Sequence, residues 1–210
     1  MNKCELLNLT IQRLATGGAT PILPPEYQQV EYLQSSSSNG NGYSIHIDTG
    51  ITYFADFEIV CKRVDNDATK FCGVAQVTCL QRESASNPYY RFDNTYGSGW
   101  MSDVRITTKA KLRWKNDEIY IDDVFQKSFV KATSTIGHFM LYGAQSSGGG
   151  GYYNNIQIYS FKAWDTDGAL IRDMYPCYRI ADSVKGFYDT VNDVFYTGTG
   201  NGSFIAGADV

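Results

Sequence analysis

Apolar and polar positions alternate most regularly between Tyr152 and Tyr178, YYNNIQIYSFKAWDTDGALIRDMYPCY. Ile156, Ile158, Ser160 and Lys162 alternate with Gln157, Tyr159, Phe161 and Ala163. A period of two predicts a strand with two unlike faces. Asp165-Thr166-Asp167-Gly168 is turn chemistry: carboxylates that bond back to the backbone, then a glycine free to take positive φ. Leu170, Ile171 and Met174 resume the apolar pattern, so the stretch predicts a hairpin.

The same alternation recurs along the chain. Val30 and Tyr32 face one way, and Gln29, Glu31 and Leu33 the other. Tyr43, Ile45 and Ile47, then Phe57, Ile59 and Cys61, then residues 109–114 repeat it. Residues 71–80, FCGVAQVTCL, predict one buried strand. Residues 89–92 predict a short aromatic strand, and residues 100–106 another after a break at Gly97-Ser98-Gly99. Residues 117–122 and 124–129 predict a hairpin whose turn, Asp122-Asp123, holds an aspartate where a primed turn prefers glycine. Residues 139–144 are apolar, and residues 148–151 are four glycines. Residues 186–189 and 194–197 flank a Thr190-Val191-Asn192-Asp193 turn. No segment combines helix caps with a 3.6-residue stripe. About a dozen short strands at hairpin spacing predict an all-β, two-sheet antiparallel sandwich.

Composition sharpens this picture. The 210 residues are 43% hydrophobic and 19% charged, which suits one large β domain with a proper core. Sixteen tyrosines and eleven phenylalanines favour strands. The net charge of −4 and the lack of a basic run make nucleic acid an unexpected partner. The five cysteines, Cys4, Cys61, Cys72, Cys79 and Cys177, form no CxxC pair, which argues against zinc. They read as scattered, partly buried thiols, with a Cys61 disulfide to Cys72 or Cys79 as the alternative. No stretch approaches the roughly 18 apolar residues of a membrane helix.

Residues 1–23 stand apart. Leu6, Leu7, Leu9, Ile11 and Leu14 form a short apolar segment before the linker at residues 15–20. So small a segment must dock on something. It reads either as an extra strand of the domain or as an anchoring and oligomerising arm ahead of a domain at 24–210. No secretion signal is read in it.

Several pieces in order, PPEYQQVEYLQSS, YSIHIDTGI, DEIYIDDV and IQIYSFKAWDTDGALIRDMYPCYRIADSVKGFYDTVNDVFYTGTGNGSFIAG, resemble the laminin-G-like/concanavalin A-like jelly-roll domains. The kind in view is that of bacteriophage virion proteins and gut-bacterial surface proteins, and the resemblance covers about residues 24–210. It implies a jelly roll with a short N-terminal arm. It also implies a non-enzymatic protein of the exposed virion surface: a head fibre, decoration or tail-associated subunit. Its expected partners are other virion subunits, further copies in a homo-oligomer such as a trimer, and a host or mucosal glycan. The alternative is a carbohydrate-binding module of a bacterial surface or secreted protein. Laminarinase-type relatives carry E-x-D-x-x-E, whose carboxylates act as nucleophile and acid. Here Glu118-Ile-Tyr-Ile-Asp-Asp123 places Tyr120 in the middle, so the motif is absent and a glycan hydrolase is the least favoured reading.

Sugar binding needs aromatic platforms with polar partners. Tyr89, Tyr90, Arg91, Asp93, Asn94, Tyr96 and Trp100 cluster around Gly97-Ser98-Gly99, and Tyr152 and Tyr153 follow the four glycines. Core and edge packing is the plainer reading of both groups. His46 and His138, the two histidines, read as strand-face residues because no serine sits in a nucleophile motif. No cofactor is expected. Calcium is the one to weigh, because Asp65-Asn66-Asp67, Asp122-Asp123 and Asp165-Thr166-Asp167 supply oxygens, but aspartates cap turns anyway.

Overall fold

The computed structural model describes residues 23–36, 43–47, 56–64, 69–74, 78–84, 87–94, 97–101, 108–128, 139–143 and 156–210. The described strands are β1 (Tyr27–Gln29), β2 (Leu33–Ser35), β3 (Tyr43–Ile47), β4 (Asp56–Arg63), β5 (Thr69–Val74), β6 (Thr78–Ser84), β7 (Asn87–Asn94), β8 (Gly97–Met101) and β9 (Ala110–Lys115). They continue with β10 (Glu118–Ile121), β11 (Val124–Ser128), β12 (Phe139–Leu141), β13 (Ile156–Trp164), β14 (Leu170–Arg179), β15 (Lys185–Asp189), β16 (Val194–Thr197), β17 (Thr199–Gly200) and β18 (Phe204–Ala206). No helix occurs among the described residues.

The strands form two antiparallel sheets. The larger runs β11-β10-β9-β4-β13-β14-β15-β16, with β1 on β14 and β2 joining β13 to β18. The smaller runs β17-β3-β12-β5-β6-β7-β8. One apolar core lies between them: Phe57, Ile59, Leu112, Trp114, Ile119 and Phe161 from the larger sheet meet Ile45, Ile47, Cys72, Phe139 and Leu141 from the smaller. The Phe139 ring lies 5.2 Å from that of Phe161 and 5.7 Å from that of Phe57. Each such side chain, fully buried, contributes about 1.5–3 kcal/mol. Tyr142, just past β12, also ties the sheets, its hydroxyl donating to the Leu33 carbonyl at 2.6 Å. Burial pushes that hydroxyl's pKa well above its ordinary value. The all-β sandwich is therefore as expected.

The turns follow their residues. Asn116-Asp117 and Asp122-Asp123 all have positive φ, 51°, 60°, 49° and 66°, as the two primed hairpin turns require. The cost of left-handed aspartates is offset locally. Asp122 Oδ1 accepts from the Lys111 amide at 2.8 Å, and the Lys111 ammonium donates to Asp123 Oδ2 at 2.6 Å. In the β13–β14 turn Asp165 Oδ1 accepts from the amides of Asp167 and Ala169, while Gly168 takes φ +80°.

Four sequence expectations are corrected. Tyr27 to Gln34 is not one alternating strand. β1 ends before Glu31, whose amide donates to the Ala208 carbonyl, and the break lets both Val30 and Leu33 reach the core. In β13 a bulge between Ile158 and Ser160 reverses the phase, so Phe161 and Ala163 continue the buried face and Lys162 turns outward. Residues 71–80 are shared between β5 and β6, which pair as a hairpin. Gly97-Ser98-Gly99 is no break, because it opens β8 and pairs with β7.

Cys61, Cys72 and Cys177 are buried, and Cys61 and Cys177 are free thiols. Burial pushes the Cys61 and Cys177 thiols up to about 12. Leu23 is buried against Cys177 and Tyr188 on the outer side of the larger sheet. Leu6, Leu7, Leu9, Ile11 and Leu14 lie outside the described residues.

Candidate functional site

The segment R-D-x-x-P-C-x-R from Arg172 to Arg179, followed by G-x-Y-D from Gly186 to Asp189, builds structure. Asp189, fully buried, accepts from the amides of Asp173 and Val191 at 3.1 Å each and from Asn192 Nδ2 at 2.7 Å. Arg172 Nε lies 3.5 Å from Asp189 Oδ2, a buried ion pair. The Pro176 carbonyl accepts from the Val30 amide. Arg179 pairs with Asp182 at 2.6 Å and caps the Phe195 ring. A Cβ on Gly186 would stand 2.2 Å from the Tyr196 carbonyl oxygen, so only glycine fits there. These residues clamp β14, β15 and β16 together.

The expected ligand residues divide. Tyr89, Tyr90, Arg91, Asp93 and Asn94 lie on β7, and Trp100 lies on the edge strand β8. The register sets Arg91 opposite Trp100 and Gln81, and Asp93 opposite Ser98 and Cys79. Tyr90 pairs with Met101 and Asn94 with Gly97. Tyr96, Tyr152, Tyr153, His138 and the Asp65-Asn66-Asp67 run lie outside the described residues. His46 is exposed on β3.

A second surface was not singled out in the sequence. On the outer side of the larger sheet, register aligns Tyr120, Arg113, Glu58, Lys162 and Asp173 in one row across β10, β9, β4, β13 and β14. The Lys162 ammonium donates to Asp173 Oδ2 at 3.3 Å. Burial lowers the Lys162 pKa, but Asp173 and Tyr175 outweigh it and hold the group above its ordinary value. Burial, then the Asp173 charge, raises Tyr175. The Arg113 guanidinium covers the half-buried Trp164 ring at 4.9 Å from its centroid. Lys109 Nζ stands 4.0 Å from the Tyr159 centroid, and Tyr32 packs on Tyr159 at 5.4 Å. The Tyr120 hydroxyl donates to Glu118 and its ring meets Phe125. The result is a sheet face set with aromatic rings and alternating charges. Its sequence signal was the polar half of the alternation in residues 109–115 and 157–164. What joins those halves into one surface is cross-strand register.

Where a paired-carboxylate strand would place its central acid stands Tyr120, and Asp123 sits in a turn against Lys111. Among the described residues no three His, Cys, Asp or Glu side chains gather around a common point.

The chain shares its fold with a crystal structure from Bacteroides ovatus, of a protein provisionally described as carbohydrate-binding. The TM-score is 0.58 at 12% identity, over 87% of this chain and 62% of that one. At that identity the likeness establishes the sandwich alone, and this chain spans less than two thirds of the other's length. No family model matches the chain, and no curated protein matches it.

Proposed function

We propose that this protein is a carbohydrate-binding β-sandwich that holds a glycan without cleaving it. The observation that carries this reading is the fold shared, over 87% of the chain, with a protein provisionally described as carbohydrate-binding. Support comes from the chemistry of the surface. Aromatic rings beside fixed donors and acceptors suit a ligand with apolar C–H faces and a hydroxyl rim. The outer face of the larger sheet carries that chemistry.

Glycan-array screening of the whole chain tests the reading, with reducing-end assays on the glycans retained. Binding without release of reducing ends is the expected outcome. Binding to no glycan, or steady hydrolysis, would overturn it.

The virion reading rests on the sequence resemblance alone, and the comparisons add no virion protein to it. It extends the proposal to an outward-facing domain on a particle, anchored through Leu6, Leu7, Leu9, Ile11 and Leu14 and assembled as a homo-oligomer. Copurification with other structural subunits in a particle would support that extension. A strict monomer with a free N-terminal segment would count against it.

A further inference from the structure

We infer that the glycan platform is the outer face of the larger sheet, laid across β9, β4, β13 and β14 between Trp164 and Tyr175, and that it takes a neutral oligosaccharide. This rests on the carbohydrate-binding reading and names its site and ligand class. The first argument is charge. Along the row Arg113, Glu58, Lys162 and Asp173, cation and anion alternate from strand to strand. An anionic glycan would meet Glu58 and Asp173, and a cationic one Arg113 and Lys162. A ligand of paired hydroxyls uses both signs, because each hydroxyl accepts from an ammonium or guanidinium and donates to a carboxylate.

The second argument is unused hydrogen-bonding capacity. Arg113 Nε, a donor, and Asp173 Oδ1, an acceptor, have no hydrogen-bond partner in the protein. They lie toward opposite ends of the same row. Both atoms are themselves buried and cost stability in that state, and rotation of the two side chains over a fixed backbone would bring them to a ligand's hydroxyls. The third is geometry. Three inter-strand steps separate Arg113 from Asp173, about 14 Å at roughly 4.8 Å per step. That is room for an oligosaccharide rather than one ring. Trp164, one face of its ring under the Arg113 guanidinium, stands half-buried at one side and Tyr175 beside Lys162 and Asp173 at the other, so aromatic rings flank the polar row. The fourth is rigidity. β4, β9 and β13 are interior strands of the larger sheet over a close-packed core, so the face is ordered before any ligand arrives.

The test uses the full chain on an array of neutral glucans, mannans, xylans and galactans, with sulfated and sialylated glycans alongside. Retained oligosaccharides are then titrated into wild type, Trp164→Ala, Lys162→Gln and Trp100→Ala. Trp164→Ala is expected to weaken neutral-glycan binding at least about tenfold. Lys162→Gln should weaken it by a smaller factor, Trp100→Ala should leave it unchanged, and added salt should matter little. Lys162→Gln, on the outer face, keeps the test decisive should Trp164→Ala fold poorly. Loss of binding in Trp100→Ala alone would overturn this placement while sparing the carbohydrate reading. Preference for sulfated glycans with steep salt dependence would overturn the ligand class. A dimer that Trp164→Ala dissociates, formed to the exclusion of glycan, would overturn the platform. No binding to any glycan by wild type would remove the underlying reading as well.

Discussion

Two neighbouring rows of the larger sheet, one residue apart along every strand, have opposite characters. Ile121, Leu112, Ile59, Phe161 and Met174 align on the inner side, all buried in the core. Tyr120, Arg113, Glu58, Lys162 and Asp173 align on the outer side, half-buried and, Tyr120 apart, charged. The backbone hydrogen bonds are of one kind and the register is shared, so the side chains alone make the difference. The inner row specifies the fold and stabilises it. On the proposed reading the outer row contributes little to folding and serves recognition.

Substitution in the inner row should break this contrast first. Phe161→Ala leaves a cavity beside Phe57 and Phe139 and should cost about 3–5 kcal/mol, read from the shift in urea midpoint at unchanged slope. Next comes the buried clamp at the end of the inner side. Asp189→Ala strands Arg172 and frees two amides, and should cost about 3 kcal/mol by the same measurement. An effect nearer 0.5 kcal/mol would mean that the β14–β16 clamp is not held by this carboxylate.

Alkaline pH probes the buried thiols. The Cys61 thiol is raised from 9.0 to about 12 in the folded chain. Between those values the unfolded chain has lost the proton and the folded chain retains it, so stability must fall as pH rises. Below pH 9.0 the contribution is complete. Urea midpoints should therefore be flat just below that pH and decline above it, and Cys61→Ala should flatten the decline. Cys177 and Tyr142 shift in the same direction for the same reason, so part of the decline should survive that variant.

The smallest folding effect belongs to the outer row. Lys162→Gln loses one half-exposed ion pair and should cost less than about 1 kcal/mol. A larger loss would show the outer row to be structural.

Much of the fold was legible in the sequence because its causes are local. Alternation in residues 110–114, the Asp122-Asp123 turn and the Asp165–Gly168 turn each follow from adjacent residues. The bulge at Ile158 and Ser160 has no local signature, so every face assignment beyond it was reversed. Ala75-Gln76-Val77 offers no glycine or proline to mark the β5–β6 hairpin. Arg172 reads as an outward cation until Asp189, distant in sequence, is brought beside it. The outer platform was illegible for the same reason. Its residues come from four strands whose alignment is a property of the sheet.

Titration of the wild-type protein with a neutral oligosaccharide retained on the array, followed by assay of the mixture for reducing ends, tests the central claim most directly. The expected result is saturable binding, little affected by salt, with the oligosaccharide recovered intact. Absence of saturable binding to any neutral glycan, or its cleavage, would contradict it.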